Sequence, residues 1–104
     1  MSTELFRQLA LKLPGAEEKS HFGKPDFRIR NKIFAGISAK GMAYVKLSPE
    51  QQEMLCGAEP TLVQAHEGHW GKQGWTFIDQ YSADEALLAS ALKMAWNGVL
   101  PRKK

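Results

Sequence analysis

Cysteine is almost absent from this chain: Cys56 is the single one among 104 residues. An internal disulfide is therefore excluded, and nothing in the sequence requires an oxidising compartment. No apolar run comes near the roughly 20 residues that a membrane span needs. The first residues, MSTELFRQLALKLPG, lack the basic stretch and apolar core of a secretory signal. These absences make the cytoplasm the expected location and argue against a membrane partner. No repeat, low-complexity tract or linker interrupts the chain, so residues 1–104 read as a single domain. Neither an RNP-like strand motif nor a helix-turn-helix signature is present, which leaves sequence-specific nucleic-acid readout without support.

What is present is the composition of a folded globular protein, with 43% apolar and 24% charged residues. The net charge of +3 is unevenly spread. Residues 1–46 hold nine Lys/Arg against four acids, a local +5, whereas residues 47–104 hold five bases against seven acids, a local −2. A domain with one basic half can meet a polyanion. An ordinary solvated surface is the simpler alternative.

Leu5, Phe6, Leu9 and Leu13 recur at helical spacing over Thr3–Lys12, and Pro14-Gly15 stops that helix. Asp26-Phe27-Arg28-Ile29-Arg30 alternates, with Phe27 and Ile29 on one face and both arginines on the other. Asn31-Lys32 is the expected two-residue turn, because Asn tolerates positive φ. Strands over Ile33–Ser38 and Met42–Leu47, joined by a turn at Lys40-Gly41, complete a meander. Ser48-Pro49-Glu50-Gln51 starts a helix with a capping box, running to about Cys56 with Gly57 as terminator. A short strand over Thr61–His66, a glycine-punctuated loop over Gly68–Gly74 and a strand over Trp75–Asp79 follow. Ser82 and Glu85 predict a second capping box. Leu88, Leu92, Ala95, Trp96 and Val99 line one face of the last helix, closed by Gly98 and Pro101. The expected class is α+β: an antiparallel sheet, a meander of about four or five strands, flanked by about three helices in two layers.

Two groups of residues carry candidate chemistry. Lys24, Arg28, Arg30 and Lys32 gather on or beside the first hairpin, with Lys46 at the end of the third strand. Such cations contact phosphates, which hold a protein on nucleic acid without reading its sequence. The alternative is a solvated strand face whose charges deter edge pairing. His66, His69, Trp70 and Trp75 form the second group, a loop bordering a ligand pocket or partner surface. Phe27, Phe34, Phe77 and Trp96 fit inward-facing positions, whereas at least one of Trp70 and Trp75 is expected at the surface.

Other constellations fall short of a site. His66 and His69 are too few for zinc, and His21 and Cys56 stand far off in sequence. No metal and no cofactor are therefore expected. Cys56, beside Leu55, reads as a buried structural thiol. Glu17 and Glu18 are adjacent, so they face different ways and make no carboxylate pair. Without a nucleophile, base and orienter, no enzyme is expected. Within His21-Phe22-Gly23-Lys24-Pro25, Gly23 and Pro25 read as a bend delivering the chain into the hairpin.

Several separated pieces resemble one family. Leu13-Pro14-Gly15-Ala16-Glu17-Glu18, the run from His21 to Ile29, and Lys32-Ile33-Phe34-Ala35 are similar to the N-terminal signature of the MmcQ/YjbR family. Val45-Lys46-Leu47, His69-Trp70-Gly71, Gly74-Trp75-Thr76, Ala95-Trp96 and Pro101-Arg102-Lys103 follow in the family's order, so the resemblance spans nearly the whole chain. It implies a CyaY-like domain, a sheet flanked by helices, and DNA binding through a double-wing arrangement. It supplies no agreed catalytic residue. Residues and resemblance together lead to the expectation of a non-enzymatic domain, monomer or weak homodimer, that binds DNA weakly through phosphates. The alternative is a protein- or small-ligand-binding module built on residues 66–75.

Overall fold

The computed structural model describes residues 3–21, 23–38, 41–66 and 68–100, and for His21 and His69 the backbone alone. Thr3–Leu11 forms α1, which turns Phe6 and Ala10 fully inward. Glu17–His21 (β1), Lys24–Ile29 (β2), Lys32–Ile37 (β3) and Ala43–Lys46 (β4) run as an antiparallel meander. Pro49–Ala58 (α2), Val63–Ala65 (β5), Gly68–Lys72 (α3), Trp75–Ile78 (β6) and Glu85–Val99 (α4) follow. The sheet order is β1-β2-β3-β4-β6-β5, because β6 inserts between β4 and β5. The α+β class is as expected, with six strands and four helices among the described residues.

One face of the sheet is covered. Phe27, Ile29, Ala35, Ile37, Ala43, Val45, Val63 and Ile78 pack against α1 and α4, which contribute Phe6, Ala10, Leu88, Ala91, Leu92 and Ala95. Phe6 meets Phe27 edge to face, ring centroids 6.1 Å apart. Each large apolar side chain buried here contributes roughly 1.5–3 kcal/mol. Gln80, fully buried, holds the sheet to α1: its Oε1 accepts from the Ala43 N–H at 3.0 Å, and its Nε2 donates to the Gly41 carbonyl at 2.7 Å and the Thr3 hydroxyl at 3.0 Å.

Several local expectations are corrected. Gly23, with φ of 77°, does bend the chain into the hairpin, but the residues ahead of it form an unexpected strand: β1 is an edge strand whose Glu-Glu-Lys-Ser-His has no apolar alternation because neither face enters the core. The hairpin turn is Arg30-Asn31, with φ of 51° and 72°, and Lys32 pairs with Ile29. Two consecutive positive φ values match the twist of the flanking strands, and Lys19 Nζ donates to the Asn31 side-chain oxygen at 3.2 Å. Arg30 therefore does not share a strand face with Arg28. Gly68–Lys72 is a one-turn helix rather than a loop, too short for helical periodicity to show. The α2 helix runs through Gly57 to Ala58, and α4 likewise runs past Gly98 to Val99; Pro101 lies outside the described residues. Ser48 and Gln51 form the expected box, but α4 is capped by Asp84, which accepts from the Leu87 N–H at 2.8 Å, not by Ser82. Ser82 instead donates its N–H to Asp79 Oδ1.

A register shift between Phe27 and Arg28 decides what the second face shows. Phe27 pairs with Ala35 and Arg28 with Ile33, so Phe34 has no opposite partner. Phe34 is fully buried. It joins Ala35 on the core side, and Ile33 is displaced to the other face.

Candidate functional site

Strand alternation sends Asp26 and Arg28 of β2, Gly36 of β3, Tyr44 and Lys46 of β4, and Trp75 and Phe77 of β6 to the face opposite α1 and α4. A mostly apolar cleft of about 250 Å³ opens there. Tyr44, Trp75 and Phe77 form its floor; His66 and Trp70 stand on one side, Ile33 and Ser38 on the other. The floor is pre-packed. Tyr44 and Trp75 meet edge to face at 5.5 Å, and His66 stacks on Phe77 at 4.8 Å. Lys46 Nζ lies 5.8 Å from the Trp75 ring centroid, inside cation–π range. Trp70 is 54% exposed.

Backbone detail holds these rings in place. A Cβ at Gly36 would lie 2.7 Å from Tyr44 Cζ and 3.1 Å from the Pro25 carbonyl oxygen, so only glycine lets the tyrosine ring lie across β3. A Cβ at Gly71 would lie 3.0 Å from the His66 carbonyl carbon and closer still to its oxygen. That close approach seats α3, and Trp70 with it, against the end of β5. Gln52 of α2 reaches the Gly71 and Trp75 carbonyls at 3.0 and 3.2 Å and Thr76 Oγ1 at 3.0 Å, tying α3 to β6.

Beside the cleft sits a charged pair. Asp26 is 1% exposed, and Arg28 grips it with Nε on Oδ1 at 2.7 Å and Nη2 on Oδ2 at 3.1 Å. The hydrogen bond to Asp26 raises the Arg28 guanidinium above its usual range. Burial, and then the Asp26 charge, raise the Tyr44 hydroxyl above its ordinary value of 10.0, with Arg28 opposing. Tyr44 is therefore an O–H donor at neutral pH, and no described residue takes its hydrogen bond.

The YjbR family model matches residues 11–98. The chain belongs to the YjbR family. Among solved structures, the YjbR domain is similar to the crystal structure of Deinococcus radiodurans protein DR2400, which carries a domain of the DUF419 family. The TM-score is 0.77 at 19% identity, over 94% of this chain and 78% of that one. At that identity the likeness is one of fold. No curated protein matches the chain.

The candidate cations of the YjbR domain do not converge. Lys24 opens β2 and Arg30 lies just past its end, a separation of about 20 Å at strand rise. Arg28 is committed to Asp26. Lys32, opposite Ile29, and Lys46, opposite Trp75, belong to different faces. The second group fares otherwise: His66, Trp70 and Trp75 line one cleft, while the His69 side chain lies outside what the structure describes. Sequence reasoning missed Tyr44 and misread Phe77 as core; the only signal was their alternation, which needs the β4–β6 pairing to be informative.

Other candidates are placed apart from the cleft. Cys56 is half-buried rather than buried. Glu18 pairs with Arg7 of α1 at 2.6 Å on the helix side, so Glu17 and Glu18 do face different ways. Trp96, half-buried, donates its indole N–H to the Pro14 carbonyl at 2.9 Å. Among the described residues, no three His, Cys, Asp or Glu cluster as metal ligands do, and no helix is long and apolar enough to cross a membrane. A second groove of about 540 Å³ lies between the start of α2 and the end of α4. It is larger but more polar, no aromatic ring among the described residues lines it, and its Ser48 and Gln51 are already used in the α2 cap.

Proposed function

We propose that this YjbR domain is a non-enzymatic binding module that works through the open face of its sheet, at the cleft over Tyr44, Trp75 and Phe77. The observation that carries this reading is the solvent-open aromatic cleft itself, with His66 brought to it from the end of β5 and Trp70 from α3. Apolar floors with a few polar groups at the rim are the usual form of ligand sites. The half-buried Cys56 accords with a reducing, cytoplasmic setting.

The test uses ¹⁵N-labelled protein and neutral indole as a probe. Indole should shift the indole N–H resonances of Trp70 and Trp75 and leave that of Trp96, on the helix side, in place. If no small ring and no nucleic acid moves Trp70 or Trp75 at millimolar concentration, the reading is wrong.

Phosphate contact remains the second reading, favoured by Arg30 and Lys32, both exposed at the β2–β3 turn. It predicts low-salt binding of DNA that weakens steeply as salt rises. The informative variant is Arg30→Glu with Lys32→Glu. Arg28→Glu would set a second carboxylate against buried Asp26 and report on folding instead. Unchanged DNA affinity in the Arg30/Lys32 double variant rejects this second reading.

A further inference from the structure

We propose that the cleft selects a small flat aromatic acid: the ring lies against Trp75 beside Trp70, the acidic group is held by the Tyr44 O–H and the outer N–H groups of Arg28, and the Lys46 ammonium over Trp75 adds attraction from the side. This deepens the binding function proposed above and rests on it.

Shape comes first. The floor is made of ring faces and edges, and about 250 Å³ exceeds the roughly 150 Å³ that accommodates a benzene. A one- or two-ring molecule fits; a bulky aliphatic one wastes the flat surfaces.

Charge then decides between ligands of the same shape. Aromatic clefts of this kind also bind quaternary ammonium groups. Here the cation position over Trp75 is already filled by Lys46. The nearby carboxylate, Asp26, is buried and neutralised by Arg28. Among the described residues no acidic one lines the cleft, and the Asp26–Arg28 pair carries no net charge, so an incoming cation meets the uncompensated Lys46 ammonium over Trp75. An anion meets the same ammonium attractively.

Hydrogen bonding gives the acidic group a place. Gly36 lets Tyr44 extend across β3 toward the Asp26–Arg28 pair. Its hydroxyl stays protonated through neutral pH and donates to no described residue. A guanidinium carries five N–H donors, and Asp26 occupies only Nε and one Nη2 hydrogen. Donors therefore outnumber acceptors on the β2–β3 side of the cleft, which suits a carboxylate.

The experiment titrates ¹⁵N-labelled protein with three probes of similar size: indole-3-acetate, neutral indole, and a trimethylammonium derivative of indole. Trp70 and Trp75 N–H shifts report the site, and Trp96 is the internal control. Indole-3-acetate should bind about tenfold more tightly than indole, the scale of one charge-assisted hydrogen bond, and the cationic probe more weakly than indole. Tyr44→Phe keeps the ring, and so the fold, and should erase most of that preference without weakening indole itself. Lys46→Gln should reduce the preference and its salt sensitivity. Equal binding of indole and indole-3-acetate, or tighter binding of the cation, overturns the anion selectivity while leaving a binding cleft. Silence of Trp70 and Trp75 to all three probes overturns the selectivity and the binding site together.

Discussion

Replacing Gly71 by alanine should destabilise this domain, against the ordinary trend for a helical glycine. Gly71 lies inside α3 without a positive φ, where alanine gains about 1 kcal/mol of helix propensity. Tertiary contact reverses the sign. The added Cβ would lie 3.0 Å from the His66 carbonyl carbon and overlap its oxygen, far inside van der Waals contact, where about 3.3–3.6 Å is comfortable for carbon against oxygen. The blocking atoms are backbone, so a rotamer change does not relieve the contact. Moving α3 away costs about 1–3 kcal/mol of overpacking strain, and the Gln52 bond to the Gly71 carbonyl is worth about 1 kcal/mol more. Set against the propensity gain, the net loss is about 2 kcal/mol, or roughly 10 °C in Tm for a domain of this size. Thermal and urea unfolding followed by far-UV circular dichroism measure it, and indole binding should weaken in parallel because Trp70 moves with α3. A variant as stable as the wild type, or more stable, would refute the claim that close backbone approach fixes α3.

The α4 cap separates two readings: Asp84→Ala should cost about 1 kcal/mol in urea unfolding, while Ser82→Ala, whose side chain caps nothing, should cost less than about 0.5 kcal/mol. Gln80→Leu should cost about 2–4 kcal/mol, because it leaves the buried Ala43 N–H and Gly41 carbonyl unsatisfied; a near-wild-type melt would show that water replaces the amide. Tyr44 should ionise above 10.0 in the folded state, seen as tyrosinate absorbance that Tyr44→Phe removes. Its folded pKa lies above its unfolded one, so its contribution to stability is complete below about pH 10 and falls as pH rises toward and through the folded value. A Tyr44 titrating at or below its ordinary value would remove the buried setting inferred for its hydroxyl.

The sequence by itself determined the class of this fold and most of its strongly patterned elements. Residues Phe27, Ile29, Leu88 and Leu92 announce their burial by period, and Ser48 with Gln51 announces a helix start, because these signals are local and each reports a neighbour a few residues away. The family likeness was legible for a similar reason, since its pieces are short and ordered along the chain. Tertiary structure decided everything that depends on residues far apart. The polar strand Glu17–His21 is a strand because β2 pairs with it, not because of its own composition. Phe77 left the expected core for the open face when β6 inserted beside β4. Arg28 stopped being a free cation once Asp26 was buried against it. Above all, Tyr44, Trp75 and His66 became one cleft through strand order and a bulge at Phe34, and neither leaves a periodic trace in the sequence. Pairing energy between distant strands is a property of the folded sheet, so the site it builds is decided there.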